Sequence, residues 1–161
     1  MGRASQSILV GASLAETWDH YFDPRGWPAW VDGFQAVEAA EGYPEVGGTL
    51  RWRSLGAGRG RVGERVLEHE PRRRHRIAFE DPQSAGELET TFAIEGEGTR
   101  VTLQVEYRLP GRGPFVWLTD RLFVRGQVQR SLQRSLLRLQ HEVEELSELG
   151  DAPSRRAGAA E

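Results

Sequence analysis

Between Thr99 and Leu109 the chain alternates strictly between apolar and polar side chains, and beyond a break at Pro110–Pro114 it changes to a helical period. Val101, Leu103, Val105, Tyr107 and Leu109 fall on one face of an extended segment, and Thr102, Gln104, Glu106 and Arg108 on the other. That period of two marks an antiparallel strand with one wet side. From Phe115 onward, Leu118, Leu122, Leu132, Leu136, Leu139, Val143 and Leu146 recur at helical spacing. A broad apolar sheet face must be covered, and one long amphipathic helix is the available cover. The space between the two is where a groove or cavity belongs.

Upstream, Gln6–Gly11 has the pattern of a short strand. Ser13 and Glu16 form a capping box that opens a helix through Leu14, Trp18, Tyr21 and Phe22, and Asp23-Pro24 ends it. Trp27–Val31 fits a second short helix with Pro28 in its first turn. Strands are then expected over Phe34–Ala40, Thr49–Ser54, Gly60–Glu70, Arg74–Glu80, Glu87–Ile94 and Thr99–Leu109, separated by Gly- and Pro-rich turns. A strand, two helices, six strands and a long helix predict an α+β fold. Residues 3–149 are read as one domain, and the small, polar stretch 150–161 as a disordered tail.

Composition narrows the chemistry. The chain has no cysteine, which excludes disulfides, thiol nucleophiles and cysteine-held metals. All its basic residues are arginine, and the net charge of -3 favours neither nucleic acid nor an anionic membrane surface. No segment is apolar enough to span a bilayer, and Met1–Ser7 lacks the order of a signal peptide, so a cytoplasmic protein is expected.

Several segments together resemble a known superfamily. Ile8-Leu9-Val10 leading into Ala12-Ser13-Leu14-Ala15-Glu16-Thr17-Trp18, then Pro28-Ala29-Trp30, Glu45-Val46-Gly47-Gly48-Thr49 and Val66–Arg74 occur in the order and spacing of SRPBCC, or START-like, proteins. Within that superfamily the chain is similar to the polyketide cyclase/dehydrase-like group. The resemblance implies a helix-grip fold, in which a curved seven-stranded antiparallel sheet wraps around the C-terminal helix. It also implies a space between sheet and helix that holds a hydrophobic small molecule. Members include lipid carriers, hormone receptors, aromatase/cyclases and co-chaperone-like modules, so fold follows from the resemblance more readily than function.

Other motifs compete with that reading. Gly58-Arg59-Gly60-Arg61-Val62-Gly63 is a literal G-x-G-x-x-G, with Glu80 and Asp81 near the spacing of a ribose-binding acid. Yet Leu50-Arg51-Trp52-Arg53 places arginines where a buried parallel strand needs apolar residues, so a glycine-rich hairpin loop is the preferred account. His69 and His75 flank the Pro71–Arg74 turn and approach each other across a hairpin, but no third ligand accompanies them, so no metal or other cofactor is expected. Arg72–Arg76 is read as a solvated turn with local ion pairs rather than a nucleic-acid grip.

The inward faces carry the functional expectations. In Arg74–Glu80 the inward set is His75, Ile77 and Phe79; in Glu87–Ile94 it is Leu88, Thr90, Phe92 and Ile94, with Thr90 the polar exception. An inward Val62–Glu64–Val66 set would bury a carboxyl group, so a bulge that turns Glu64 outward, or pairing with Arg51 or Arg53, is expected instead. Trp30, Trp52, Val66, Phe79, Phe92, Leu103, Tyr107, Trp117 and Arg121 are the candidate ligand-binding residues, apolar except for Tyr107 and Arg121, which would orient a polar end. Glu64, His75 and Tyr107 are the candidate proton-transfer groups should the cavity do chemistry. The leading expectation is a binding protein for a hydrophobic small molecule, lipid or polyketide-like. A cyclase/dehydratase-type enzyme and a protein-interaction module are the alternatives, with homodimerisation left open. Gly126 within the long helix costs about 1 kcal/mol relative to alanine, so a bend or close approach is expected there.

Overall fold

A computed structural model describes residues 1–56, 58–111, 113 and 119–157, apart from the side chains of 121, 122 and 152–157. Its elements follow the expected order. β1 (Gly2–Val10) leads to α1 (Leu14–Tyr21) and the single turn α2 (Trp27–Trp30). Strands β2 (Phe34–Glu41), β3 (Thr49–Ser54), β4 (Arg61–Glu70), β5 (Arg74–Asp81), β6 (Ser84–Glu95) and β7 (Gly98–Arg108) follow, and a π-helical turn (Asp120–Val124) runs into α3 (Arg125–Ala157). All strand pairings are antiparallel, in the order β1-β7-β6-β5-β4-β3-β2, so α1 and α2 carry the chain from one sheet edge to the other. The antiparallel β3–β4 pair leaves no parallel unit around Gly58–Gly63, which is the hairpin loop and the start of β4. This is the helix-grip arrangement.

Local chemistry accounts for each end. Ser13 caps α1 through the Glu16 backbone N–H, and the Glu16 carboxylate accepts from the Ser13 N–H in return. On β7, Val101, Leu103, Val105 and Tyr107 are buried while Gln104, Glu106 and Arg108 are exposed, as the alternation predicts. On α3, Leu136, Leu139 and Val143 are buried against the sheet, Leu132 is half-buried, and Leu146 is exposed because the helix has passed its cover. Leu118 and the side chain of Leu122 lie outside the described residues. The helix extends to Ala157, through the start of the stretch read as a tail. Gly126 is not mid-helix: it follows the π-helical turn directly, and a Cβ there would only touch the Arg130 guanidinium.

A bulge between Val66 and Glu68 resets the register of β4, so that His69 turns inward beside His75 of β5, on the same face as Val66 before the bulge. It lies beyond Glu64 rather than at it, and this is why Glu64 stays on the inner face beside Phe79. Ile94, at the far end of β6, is exposed instead of inward. The Arg72–Arg76 turn is held as expected by pairs from Arg73, Arg74 and Arg76 to Glu68, Glu70, Glu87 and Glu89. Opposite, Asp32 anchors α3: its carboxylate accepts from Ser131 Oγ at 2.8 Å and from Arg134 at 2.8 and 3.0 Å, and its backbone N–H donates to Ser135 Oγ.

Candidate functional site

The space inside the grip divides into a filled half and an open half. α1 and α2 bring Trp18, Tyr21, Phe22, Trp27 and Trp30 under the sheet. There Trp18 lies 4.9 Å from Phe92 between ring centroids, and Tyr21 lies 5.0 Å from Trp30. Aromatic packing of this density leaves little room. Trp30, Trp52, Phe92 and Leu103 all belong to this packed core, and Val66 is buried as well.

The open half lies between β4–β7 and the start of α3. It is a cavity of about 1060 Å³, walled on the sheet side by Ile77, Phe79, Leu88, Val105, Tyr107 and Leu109. On the helix side the wall is Val124, Val128 and Leu132, which four-residue steps place on one stripe. Gln127, Ser131, Arg130, Arg59 and Glu64 supply polar atoms. Mostly apolar walls with a few polar groups are the ordinary recipe of a small-molecule site.

Three polar arrangements define the electrostatics. Arg59, from the β3–β4 loop, lies 4.8 Å over the Phe79 ring and pairs at 2.6 Å with the buried Asp81 carboxylate. Asp81 in turn accepts from the Gln83 and Ser84 backbone N–H groups, so loop and hairpin are tied together at the cavity rim. Tyr107 donates to Asp120 Oδ1 at 2.7 Å, and burial followed by this carboxylate raises its phenol above the ordinary tyrosine range. Glu64 accepts from Trp52 Nε1 at 2.7 Å, and neither Arg51 nor Arg53 pairs with it. Burial raises its carboxyl above the usual range, against the Trp52 hydrogen bond and the Arg59 charge, which lower it. The expectation of a Glu64 turned outward or paired with Arg51 or Arg53 is thus overturned.

His75 is buried on the filled side, away from the cavity wall. Its Nδ1 lies 3.0 Å from His69 Nδ1 and its Nε2 lies 3.4 Å from the Tyr43 hydroxyl, with Phe22 and Tyr43 edge-on against its ring and Trp18 packed on His69. Burial, then the neighbouring His69, push its imidazole down to about 4. Nearby, the Tyr21 hydroxyl meets Thr90 Oγ1 at 2.8 Å, which accounts for the one inward threonine of β6. Among the described residues no group of three metal-ligating side chains forms.

The family model described as polyketide cyclase/dehydrase and lipid transport matches residues 1–144. The chain belongs to that family. Solved structures similar to this family member include a protein from Thermus thermophilus, 23% identical with a TM-score of 0.73, covering 91% of this chain and 99% of that one. One from Chromobacterium violaceum is 19% identical with a TM-score of 0.67, covering 89% and 99%. DynU16, titled a protein in the dynemicin biosynthetic locus, is 20% identical with a TM-score of 0.64, and the match covers 88% of this chain and 47% of DynU16. These likenesses show the fold. No curated protein matches the chain.

For this family member, then, Glu64, Phe79 and Tyr107 are the sequence candidates that the structure brings to the cavity wall. Trp117 and the Arg121 side chain lie outside the described residues. Sequence reading missed Arg59, which it met only as part of a glycine-rich loop, and Val124 and Val128, whose four-residue spacing to Leu132 was the available signal.

Proposed function

We propose that this protein binds a hydrophobic small molecule, lipid or polyketide-like, between its sheet and α3. The observation that carries the reading is the cavity of about 1060 Å³ whose sheet and helix walls are mainly aliphatic and aromatic. Left to water, such walls forgo the burial energy of roughly 25 cal/mol per Å² that an apolar occupant recovers. Native mass spectrometry of freshly purified protein, followed by solvent extraction, should reveal a co-purifying apolar compound. Stripped protein should melt at higher temperature when a panel of lipids and aromatic compounds is added, since a ligand of the native state alone stabilises by mass action. An empty protein that no member of either panel stabilises would end the reading.

A second reading, a cyclase/dehydratase-type enzyme, is favoured by one observation. Glu64 and Tyr107 face the same cavity, and the Glu64 carboxyl is tuned upward toward the range useful for proton transfer. Turnover of a poly-β-ketone mimic should then fall about a hundredfold in Glu64→Gln, the lower range for a lost general acid or base. Unchanged turnover in both Glu64→Gln and Tyr107→Phe would remove it.

A further inference from the structure

Most polar groups on the cavity wall have their bonding completed by protein. Arg59 is matched to Asp81, Arg134 to Asp32, and the Tyr107 proton is committed to Asp120. Glu64 differs. Its Oε1 is occupied by the Trp52 N–H, while Oε2 has no partner among the described residues and is not sealed off inside the protein. Among the described residues no arginine bonds it, so an ionised Glu64 would be buried with only the unbonded Arg59 charge nearby, a costly state for a carboxylate. With Oε1 serving as the acceptor for Trp52, the acid proton belongs on Oε2, the atom left to the cavity.

We propose that Glu64 offers this proton as a hydrogen-bond donor to the carbonyl oxygen of a neutral apolar ligand, making the cavity selective for ketones and esters over hydrocarbons of the same shape. The inference rests on the cavity-binding reading above and specifies its ligand. A carbonyl is the fitting partner because it accepts without donating. A hydroxyl would bring a proton of its own, and the acid's carbonyl-type oxygen is already taken by Trp52. A carboxylate ligand would find its counter-charge at Arg130 on the helix wall and would bring a second acceptor-only group, not a neutral one, to the cavity, so the neutral carbonyl is the partner specific to Glu64.

Matched neutral probes test this: 2-acetylnaphthalene and 2-ethylnaphthalene, which differ by the carbonyl, titrated against the full chain by calorimetry. The ketone should bind about fivefold tighter, the worth of one net hydrogen bond. Glu64→Leu should erase the preference. Ketone affinity should also fall as pH rises through the Glu64 titration, while the hydrocarbon is unaffected. The titratable and charged groups around Glu64 are Tyr21 from α1, Tyr43 from the β2–β3 turn and Arg59 with Asp81 at the rim, with Tyr107 from β7 and, on α3, Arg130 and the Arg134–Asp32 pair sharing the cavity. All three phenols are raised above their ordinary range, so they stay neutral across this titration. Glu64→Gln keeps an N–H donor beside Trp52 and should retain the ketone preference without its pH dependence. Equal binding of the two probes, a preference that survives Glu64→Leu, or pH dependence persisting in Glu64→Gln would overturn the donor role and leave the binding cavity standing. Failure of both probes to bind while a panel lipid stabilises the protein would overturn the carbonyl preference alone; failure of every panel member as well would overturn both.

Discussion

At the scale of single residues, His75 makes the sharpest statement about this molecule. It sits neutral between His69 and Tyr43, with its imidazole pushed from 6.5 to about 4 mainly by burial. Between those values the unfolded chain binds a proton that the folded chain refuses, so stability must fall as pH drops from about 6.5 toward 4. The loss amounts to about 3 kcal/mol at 1.36 kcal/mol per pH unit. Urea melts across that range should show stability falling more steeply toward low pH in the wild type than in His75→Phe, the difference between the two curves being the His75 contribution. Parallel curves for the wild type and the variant would show that His75 charges in the folded state. The approach of His69 and His75 was legible in the sequence, since residues flanking a short turn face each other. Alternation also put His75 inward; the inward turn of His69 was not legible, because it depends on the register reset after Val66, and neither were the aromatic rings arriving from α1, far away in the chain. The same limit applied to Glu64. Alternation put it inward, and the rarity of buried glutamate argued against it. What decides the matter is a tryptophan N–H from the neighbouring strand, and no local pattern announces such a partner.

At the scale of elements, two attachments set the geometry of the cavity. α3 is tied to the end of α2 through Asp32, whose carboxyl is held below the usual range first by Arg134 and then by Ser131 and Arg138. A depressed carboxyl contributes stability above its unfolded value near 3.9 and loses it as pH falls through its folded value, below the window of His75. Asp32→Ala should therefore destabilise by about 2 kcal/mol at neutral pH, a charge-assisted cost, and the deficit should shrink in strong acid. A uniform deficit at every pH would show that packing, and not the ion pairs, holds the helix. The second attachment is in the sheet. Gly86 lies on β6 between Phe79 and Tyr107 in register, where a Cβ would collide with the Glu106 carbonyl oxygen. Gly86→Ala has to move backbone rather than a flexible side chain. It should cost about 2 kcal/mol in thermal or chemical melts, within the range for overpacked sites. Strands and helices themselves were readable because periodicity and capping are local. Close approaches such as this one are products of sheet curvature and leave no mark beyond a glycine.

At the scale of the whole molecule, the fold fills one half of its interior and leaves the other half open. The aromatic residues of α1 and α2 complete a core, whereas Val128 and Leu132 on α3 face Leu88 and Val105 across open space. A molecule under selection for stability alone would be expected to close that space with larger side chains, since each added apolar group removed from water is favourable. Val128→Phe extends a ring from the helix wall into the cavity. It should raise stability by about 1 kcal/mol from burial, with a rise in melting temperature of a few degrees expected for a chain of this size. The same variant should bind naphthyl probes more weakly, because ring and ligand compete for one volume. This trade of function against stability is the pattern expected when empty space is a working part of the fold. Denaturant melts and probe titrations on the same preparation check both halves. A variant that is stabilised yet binds as well as wild type would place the ligand elsewhere. One that is destabilised would show that the walls of the cavity close in solution.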